Sequence, residues 1–234
     1  MNQNNINDLV IKQQNCDPQL HRWKTWNPNT PFAPNIDASL YVSNLEKTLS
    51  DSILSIIYEK NLGYYSGDEW KSYNIFSFEF PCLKILRDRI WDLYLKYCKS
   101  LSVESYPQDE IWIRGWAVKL EETQSLKMHS HSLHENTFLS GNISLTENNT
   151  VTDYWIPLFS LYHGTFKCEN HPGKIVIFPS WIQHAVDPNT SGKARYSLAF
   201  DMFSKHTMNF ILENRNDSSE TQNVILMSKK LSEI

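Results

Sequence analysis

The stretch GKIVIFPSWIQHAVDPNTSGKARYSLAF, residues 173–200, says most about the fold of this chain. It begins with an apolar run, turns at Pro179, passes through a short segment around His184, turns again at Asp187–Pro188 and enters a second apolar run at Arg195. Short apolar runs separated by Gly, Pro, Asn and Asp are typical of antiparallel strands. This stretch therefore predicts consecutive strands of a sandwich or barrel.

The same pattern continues across the second half of the chain. Predicted strands cover residues 111–120, 138–145, 153–161, 173–178 and 195–203. Many short strands with Gly-, Pro- and Asn-containing turns indicate a jelly roll. We therefore predict a mainly β fold, with a double-stranded β-helix (jelly-roll or cupin-like) core and N-terminal helices packed on it.

The first half of the chain contains two helical patterns. Ser43 followed by Glu46 has the spacing of a capping box, and apolar residues then recur at helical spacing until Gly63. A second helix is expected to begin at Pro81, because proline is favoured in the first helical turn. Both apolar stripes are ordinary core-facing surfaces.

The domain organisation follows from these patterns. Residues 1–35 are rich in Asn, Gln and Pro and predict an irregular arm. We expect an arm and helical support region over residues 1–106, a jelly-roll catalytic core over 107–212 and a tail over 213–234, together forming one integrated domain.

Composition excludes several kinds of protein. The 234 residues carry a net charge of −4 with scattered Lys and Arg, so we expect no nucleic-acid partner. No apolar run reaches the roughly 18 residues needed to cross a bilayer, so we expect no membrane association. The four cysteines show no CxxC pairing and the N-terminus does not resemble a signal peptide, which favours the cytoplasm.

A cluster of histidines suggests a metal site. His129, His131 and His134 lie within KMHSHSLHENT. Residues i and i+2 of a strand project to the same face, so the first two could bind one metal together. Imidazole nitrogen suits Fe, Zn, Cu and Ni, so the spacing alone does not select the metal.

A second group of residues suggests a dicarboxylate ligand. Arg195 lies 11 residues beyond His184, and Ser197 follows on the same face of the predicted strand. A guanidinium gives bidentate recognition of a carboxylate, and a serine hydroxyl can add a hydrogen bond. Near a metal with open positions, this pair suits the far carboxylate of a dicarboxylate that chelates the metal.

Residues 112–203 resemble a known family, the 2-oxoglutarate/Fe(II)-dependent oxygenases with the pattern HxH…SG…FPSxxxHxV…RxSxAF. The resemblance implies a jelly-roll core that binds Fe(II), with 2-oxoglutarate as co-substrate. His184 would be the distal metal ligand, and Arg195 with Ser197 would anchor 2-oxoglutarate. It further implies hydroxylation of a small-molecule or peptidyl substrate, with release of succinate and CO2 and no catalytic residue beyond the metal ligands.

The first half of the family pattern does not fix all the ligands. Counting forward from Trp116 places the HxH pair at His129 and His131, whereas counting back from Ser140 places its second histidine at His134. The segment contains no HxD or HxE, and Glu135 is the nearby acid. Two other functions therefore stay open: a three-histidine cupin-type metal enzyme that does not use 2-oxoglutarate, and a jelly-roll binding module without activity.

Overall fold

Two antiparallel sheets form the framework of the chain in the computed structural model. The structure describes residues 19–24, 37–63, 71–131, 138–155, 165–213 and 228–234. The strands in these ranges are β1 (Gln19–Lys24), β2 (Asp37–Asn44), β3 (Ile111–Leu120), β4 (Leu126–His129), β5 (Leu139–Ser144), β6 (Val151–Trp155), β7 (Thr165–Glu169), β8 (Lys174–Pro179), β9 (Gln183–Val186), β10 (Arg195–Ser204) and β11 (Lys229–Lys230).

Strand order shows a jelly-roll arrangement. The larger sheet has the order β1-β2-β8-β5-β10-β3-β11, and the smaller sheet has the order β4-β9-β6-β7. Every neighbouring pair is antiparallel. Sequence neighbours are mostly not sheet neighbours, because the chain crosses repeatedly between the two sheets, as in a jelly roll. The predicted mainly β jelly-roll core is confirmed.

The larger sheet is apolar on both faces. One face packs on the helices through a cluster that includes Ile143, Ile177 and Phe200. The other face meets the smaller sheet through a second cluster, in which Val176 and Phe178 contact residues such as Tyr154. Side chains alternate between the faces of a strand, so β2 and β8 contribute to both clusters. The polar residues described below interrupt the second cluster.

Three helices of the described chain are α1 (Lys47–Glu59), α2 (Pro81–Leu101) and α3 (Lys205–Glu213). Pro81 occupies the first turn of α2, as predicted. The prediction that a helix begins near Ser43 is wrong, because Ser43 is buried in β2 and pairs with Ile175 of β8. Strand pairing therefore overrides the local capping-box spacing, and Glu46 precedes α1 without a side-chain capping bond.

The N-terminal region contributes directly to the larger sheet. Residues 19–24 form β1 and pair with β2 along their whole length, so the prediction of irregular structure is wrong for these residues. His21 of β1 packs on Phe166 of β7, with 4.2 Å between the ring centroids. The two sheets therefore also meet along this edge. No helix in the described ranges is long and apolar enough to cross a membrane.

We expect Gly141→Ala to destabilise the protein. Gly141 pairs with Phe200, and a Cβ atom at this position would come within 2.2 Å of the Phe200 ring. Overpacking of this kind costs about 1–3 kcal/mol, which denaturant unfolding would measure. In a Phe200→Leu background, Gly141→Ala should reduce the free energy of unfolding by less than it does in wild type, because the smaller side chain relieves the contact. Strictly additive losses would contradict this contact as the cause.

Replacing His21 by leucine should reduce the sensitivity of the fold to acid. Both His21 ring nitrogens are buried without a hydrogen-bond partner among the described residues, and burial lowers the pKa of His21 to about 4. An unfolded histidine has a pKa near 6.5, so the unfolded state binds more protons between about pH 6.5 and pH 4. The free energy of unfolding should therefore decrease as the pH is lowered from about 6.5 to about 4.

The free energies of unfolding of wild type and His21→Leu should be compared from pH 7 to pH 4. Other buried histidines contribute equally to both proteins, so their effect cancels in the difference. The stability of the variant relative to wild type should increase as the pH falls. A difference that stays constant with pH would show that His21 does not titrate in this way.

Candidate metal centre

Three histidine side chains converge between the two sheets. His129, His131 and His184 each offer one nitrogen atom, and these atoms lie within 4.8 Å of one another. A metal–imidazole bond is about 2.0–2.1 Å long, so one ion can contact all three after small rotations of the rings. Within the described part of the chain, no other group of three or more His, Cys, Asp or Glu side chains lies close enough to share an ion.

Strand pairing brings the three rings together. His129 of β4 and His184 of β9 are direct partners, and Tyr154 of β6 is the next partner in the same row. The His129 and His184 ring centroids are 4.3 Å apart. His131 follows the end of β4, and its backbone N–H donates to the Ser180 carbonyl at 2.9 Å. This bond turns the chain towards the site and leaves the His131 ring 5.0 Å from that of His184.

The hydrogen bonds of the rings identify the nitrogen that is free for a metal. In each ring, Nδ1 lies near an oxygen that can only accept. The distances are 2.7 Å from His129 to the Lys127 carbonyl, 2.7 Å from His131 to Asp201 Oδ1 and 3.3 Å from His184 to the Ile182 carbonyl. Each Nδ1 therefore carries the proton and donates, which leaves the Nε2 lone pair available in all three rings.

Burial favours the neutral form of two of these histidines, His184 and His129. The pKa of His184 is held well below its ordinary value, mainly by burial and further by the neighbouring His131 and His129 rings. Burial likewise lowers the pKa of His129. A neutral imidazole is the form that binds a metal, so the rings of His184 and His129 need not lose a proton first at neutral pH.

The predicted arginine is buried on the inner face of the larger sheet. Arg195 is 2% exposed, and burial lowers its pKa to about 10. Its Nη1 donates to Ser197 Oγ at 3.2 Å, whereas its Nε has no hydrogen-bond partner among the described residues. It forms no ion pair within the described ranges. A buried cation without a countercharge is costly, which makes this position suited to an anionic ligand.

Tyr154 lies between the histidines and Arg195. Its ring stacks on His184 with 5.8 Å between centroids, and its hydroxyl accepts a hydrogen bond from Asn142 Nδ2 at 2.7 Å. The pKa of Tyr154 is raised well above its ordinary value by burial, and the nearby charge of Arg195 partly opposes this rise. The tyrosine therefore connects the candidate metal ligands to the buried arginine through direct packing and charge interaction.

Sequence analysis missed a buried carboxylate in this site. Asp201 of β10 is 2% exposed, and its Oδ1 accepts from His131 and, at 2.6 Å, from Ser140 Oγ. Asp201 lies six residues after Arg195 on β10, and residues an even number apart on a strand project to the same face. An isolated aspartate in the apolar run RYSLAFDMFS was the available signal, because a buried carboxylate needs partners.

The remaining predicted ligands lie outside the described residues. The structure brings together His129, His131 and His184, and it does not describe His134 or the nearby Glu135. No carboxylate belongs to the group of three within the described ranges. His129 and His131 are thus the members of the 129–134 cluster found beside His184.

Comparison with known families supports the resemblance found in the sequence. Residues 160–201 match the model of a family described as "Putative 2OG-Fe(II) oxygenase". This segment includes His184, Arg195, Ser197 and Asp201. None of the curated proteins matches the chain in sequence.

Solved structures share the fold. A prolyl-4-hydroxylase from Pseudomonas putida is 13% identical with a TM-score of 0.50, and the match covers 71% of this chain and 84% of that chain. The alpha-ketoglutarate-dependent epimerase SnoN from nogalamycin biosynthesis is 8% identical with a TM-score of 0.54, covering 70% and 77%. EvdO2 from Micromonospora carbonacea var. aurantiaca, solved with 2-oxoglutarate, is 10% identical with a TM-score of 0.50, covering 70% and 86%.

At these identities the structural likenesses establish the fold alone. The family match adds the segment around His184, and the three-histidine group adds a site able to hold a metal ion. Together they support the resemblance at the level of the family: residues 160–201 have the signature of the 2OG-Fe(II) oxygenases, a family whose cofactors are ferrous iron and 2-oxoglutarate, and the chain has the fold of solved enzymes of this kind.

Proposed function

We propose that this protein is a non-haem Fe(II)- and 2-oxoglutarate-dependent dioxygenase that hydroxylates a small-molecule or peptidyl substrate and releases succinate and CO2. His129, His131 and His184 would bind the metal through Nε2. Arg195 and Ser197 would bind the far carboxylate of 2-oxoglutarate. The family match and the fold support the class of enzyme, and the side chains of this site support the residue roles.

The observation that carries the proposal is the presence of two features between the sheets, which Tyr154 links to each other. One is a group of three imidazoles whose Nδ1 atoms each lie near an oxygen, which leaves their Nε2 atoms for a divalent metal. The other is the buried guanidinium of Arg195, whose Nε has no hydrogen-bond partner among the described residues and which suits a carboxylate. A ligand with a metal-chelating end and a carboxylate end satisfies both, and 2-oxoglutarate has this form.

The chain itself positions the reactants and excludes water. The metal and 2-oxoglutarate, when bound, supply the oxidising chemistry, in which one oxygen atom of O2 ends in succinate and the other in the substrate hydroxyl. The rings of Phe178 and Tyr154 pack against His184, with centroids 4.9 Å and 5.8 Å away. Trp116 packs against His131 at 5.6 Å. These aromatic rings keep bulk water from His184 and His131, which strengthens the charge interactions around them.

The all-histidine group favours one alternative, a three-histidine metal enzyme that does not use 2-oxoglutarate. Oxygenases with open iron positions often use two histidines and one carboxylate, and no carboxylate joins this group in the described ranges. Arg195 argues for 2-oxoglutarate, because a metal enzyme without a dicarboxylate ligand has no need of a buried guanidinium there.

Conversion of 2-oxoglutarate tests the proposal. The purified protein should release succinate and CO2 from 2-oxoglutarate only when Fe(II) and O2 are both present, and candidate substrates should accelerate this release. Metal binding without any succinate would favour the three-histidine alternative. Failure to bind metal after anaerobic reconstitution would favour a binding module.

A further inference from the structure

Asp201 is a buried carboxylate that contacts a candidate metal ligand without belonging to the metal-binding group. Its Oδ1 lies 2.7 Å from His131 Nδ1, and it is 2% exposed. The Nε2 of His131 faces the other way across the ring. Any metal on Nε2 would therefore be separated from the carboxylate by a single imidazole.

A closed set of hydrogen bonds holds Asp201 and His131 together. Ser140 Oγ donates to Asp201 Oδ1 at 2.6 Å and lies 2.8 Å from Ser180 Oγ. The Ser180 carbonyl in turn accepts from the backbone N–H of His131 at 2.9 Å. All four residues are buried, so solvent does not compete for these bonds. The set fixes the distance and orientation between the carboxylate and the imidazole.

The other two rings lack this kind of partner. Nδ1 of His129 faces the Lys127 carbonyl and Nδ1 of His184 faces the Ile182 carbonyl, and both acceptors are uncharged. His131 alone among the three donates to a carboxylate. A carboxylate acceptor makes the opposite ring nitrogen a stronger donor to a metal than a carbonyl acceptor does.

The charge of the site explains why such a partner matters. Three neutral histidines leave the full charge of a divalent ion uncompensated, whereas a site with two histidines and a carboxylate cancels part of it. We propose that Asp201 is a positioning residue that holds His131 with Nε2 towards the metal and supplies, through that ring, the negative charge that the three histidines lack. This inference rests on the metal site of the proposed function.

Arg114 offsets part of the free-energy cost of burying the Asp201 carboxylate. Arg114 of β3 is the strand partner of Asp201, and it lies over the Trp116 ring at 5.1 Å. The pKa of Arg114 is lowered to about 10 by burial, and the charge of Asp201 partly opposes this fall. The two opposite charges thus stabilise each other within the low-dielectric interior. This interaction adds to the hydrogen bonds that hold Asp201 beside His131.

Asp201→Asn removes the negative charge of the side chain and keeps nearly the same side-chain shape. The amide oxygen of asparagine can still accept from His131, whereas the negative charge is lost. Fe(II) affinity should be measured anaerobically by competition with a chromophoric chelator. We expect binding to weaken about 10- to 100-fold, the usual effect of removing such an outer partner of a ligating histidine. The Fe(III)/Fe(II) reduction potential should rise, because lost negative charge destabilises the ferric ion more than the ferrous ion.

Asp153→Asn provides a matched control. Asp153 lies on β6 one residue from Tyr154, so its side chain points to the opposite face, and it lies 3.4 Å from Lys167 Nζ. The same chemical change at this position should leave both Fe(II) affinity and potential at wild-type values. Thermal unfolding of the metal-free variants would show whether each one is folded.

Two outcomes distinguish failure of this inference from failure of the proposed function. If wild type binds Fe(II) and Asp201→Asn matches it in both affinity and potential, the role of Asp201 is refuted while the metal site stands. If wild type itself binds no Fe(II), the metal site is refuted, and the role of Asp201 is refuted with it.

Discussion

Replacing His184 by alanine should abolish Fe(II)-dependent release of succinate and leave the protein folded. His184 is 4% exposed and lies 4.3 Å and 5.0 Å, between ring centroids, from His129 and His131. Its removal leaves two of the three nitrogen donors that the described residues bring together, and these cannot hold the ion against water with the same strength. Because catalysis requires the metal, we expect a loss of at least about 1,000-fold in turnover, or roughly 4 kcal/mol.

His206→Ala is the appropriate control, because His206 is exposed on α3. It should retain wild-type turnover and metal affinity. Fe(II) binding should be measured together with turnover, so that loss of the metal is separated from loss of a later step. A His184→Ala variant that is folded and turns over at the wild-type rate would eliminate His184 as a ligand.

Replacing Arg195 by alanine should raise the concentration of 2-oxoglutarate needed for half-maximal turnover. A hydrogen bond to a charged group contributes about 1.5–3 kcal/mol, so the loss should be roughly 10- to 100-fold in KM. The maximal rate at saturating 2-oxoglutarate should change much less, since Arg195 would bind the end of the co-substrate that does not react. Arg89→Ala, at an exposed arginine paired with Glu46, should behave as wild type.

A co-substrate analogue makes this prediction specific. A 2-oxo acid that lacks the second carboxylate keeps the metal-chelating end and loses the group that Arg195 would bind. In wild type, the KM for this analogue should exceed the KM for 2-oxoglutarate by about the factor by which Arg195→Ala raises the KM for 2-oxoglutarate. In the variant, the two KM values should be similar. If the variant still discriminates fully, the far carboxylate is recognised by other residues.

Local sequence patterns were sufficient for much of the fold. The predicted strand at 111–120 has the bounds of β3, and the predicted strands near 138–145, 173–178 and 195–203 correspond to β5, β8 and β10. These strands are either buried on both faces, which gives a continuous apolar run, or alternate between apolar and polar residues. Both patterns can be recognised in the sequence. The run predicted at 153–161 is described only as far as β6 extends, because residues 156–164 lie outside the described ranges.

Errors arose where tertiary pairing outweighs a local signal. Ser43 and Glu46 have capping-box spacing, but Ser43 continues β2 because pairing with β8 satisfies its backbone. β1 lies in a polar segment whose composition suggests irregular structure, yet it pairs in full with β2. β8 is remote from Ser43 in the sequence, and β1 pairs with β2 across an intervening segment without a turn motif that predicts the pairing, so neither outcome is visible from a local pattern.

The candidate site was only partly readable for the same reason. His184 lies on β9 of the smaller sheet, and Arg195 and Ser197 lie on β10 of the larger sheet, the next strand along the chain, so sequence patterns capture their spacing. The contact between His131 and Asp201 joins residues 70 positions apart. Which histidines of the 129–134 cluster lie beside His184 also depends on the turn that Ser180 imposes on His131.

Anaerobic absorption spectroscopy tests the central claim, that one site binds Fe(II) and 2-oxoglutarate together. Adding 2-oxoglutarate to the Fe(II)-loaded protein should produce a visible charge-transfer band that saturates at one equivalent and requires both components. The band should be absent in His184→Ala and should need more 2-oxoglutarate in Arg195→Ala. Tight Fe(II) binding by wild type with no band at any 2-oxoglutarate concentration would contradict the account.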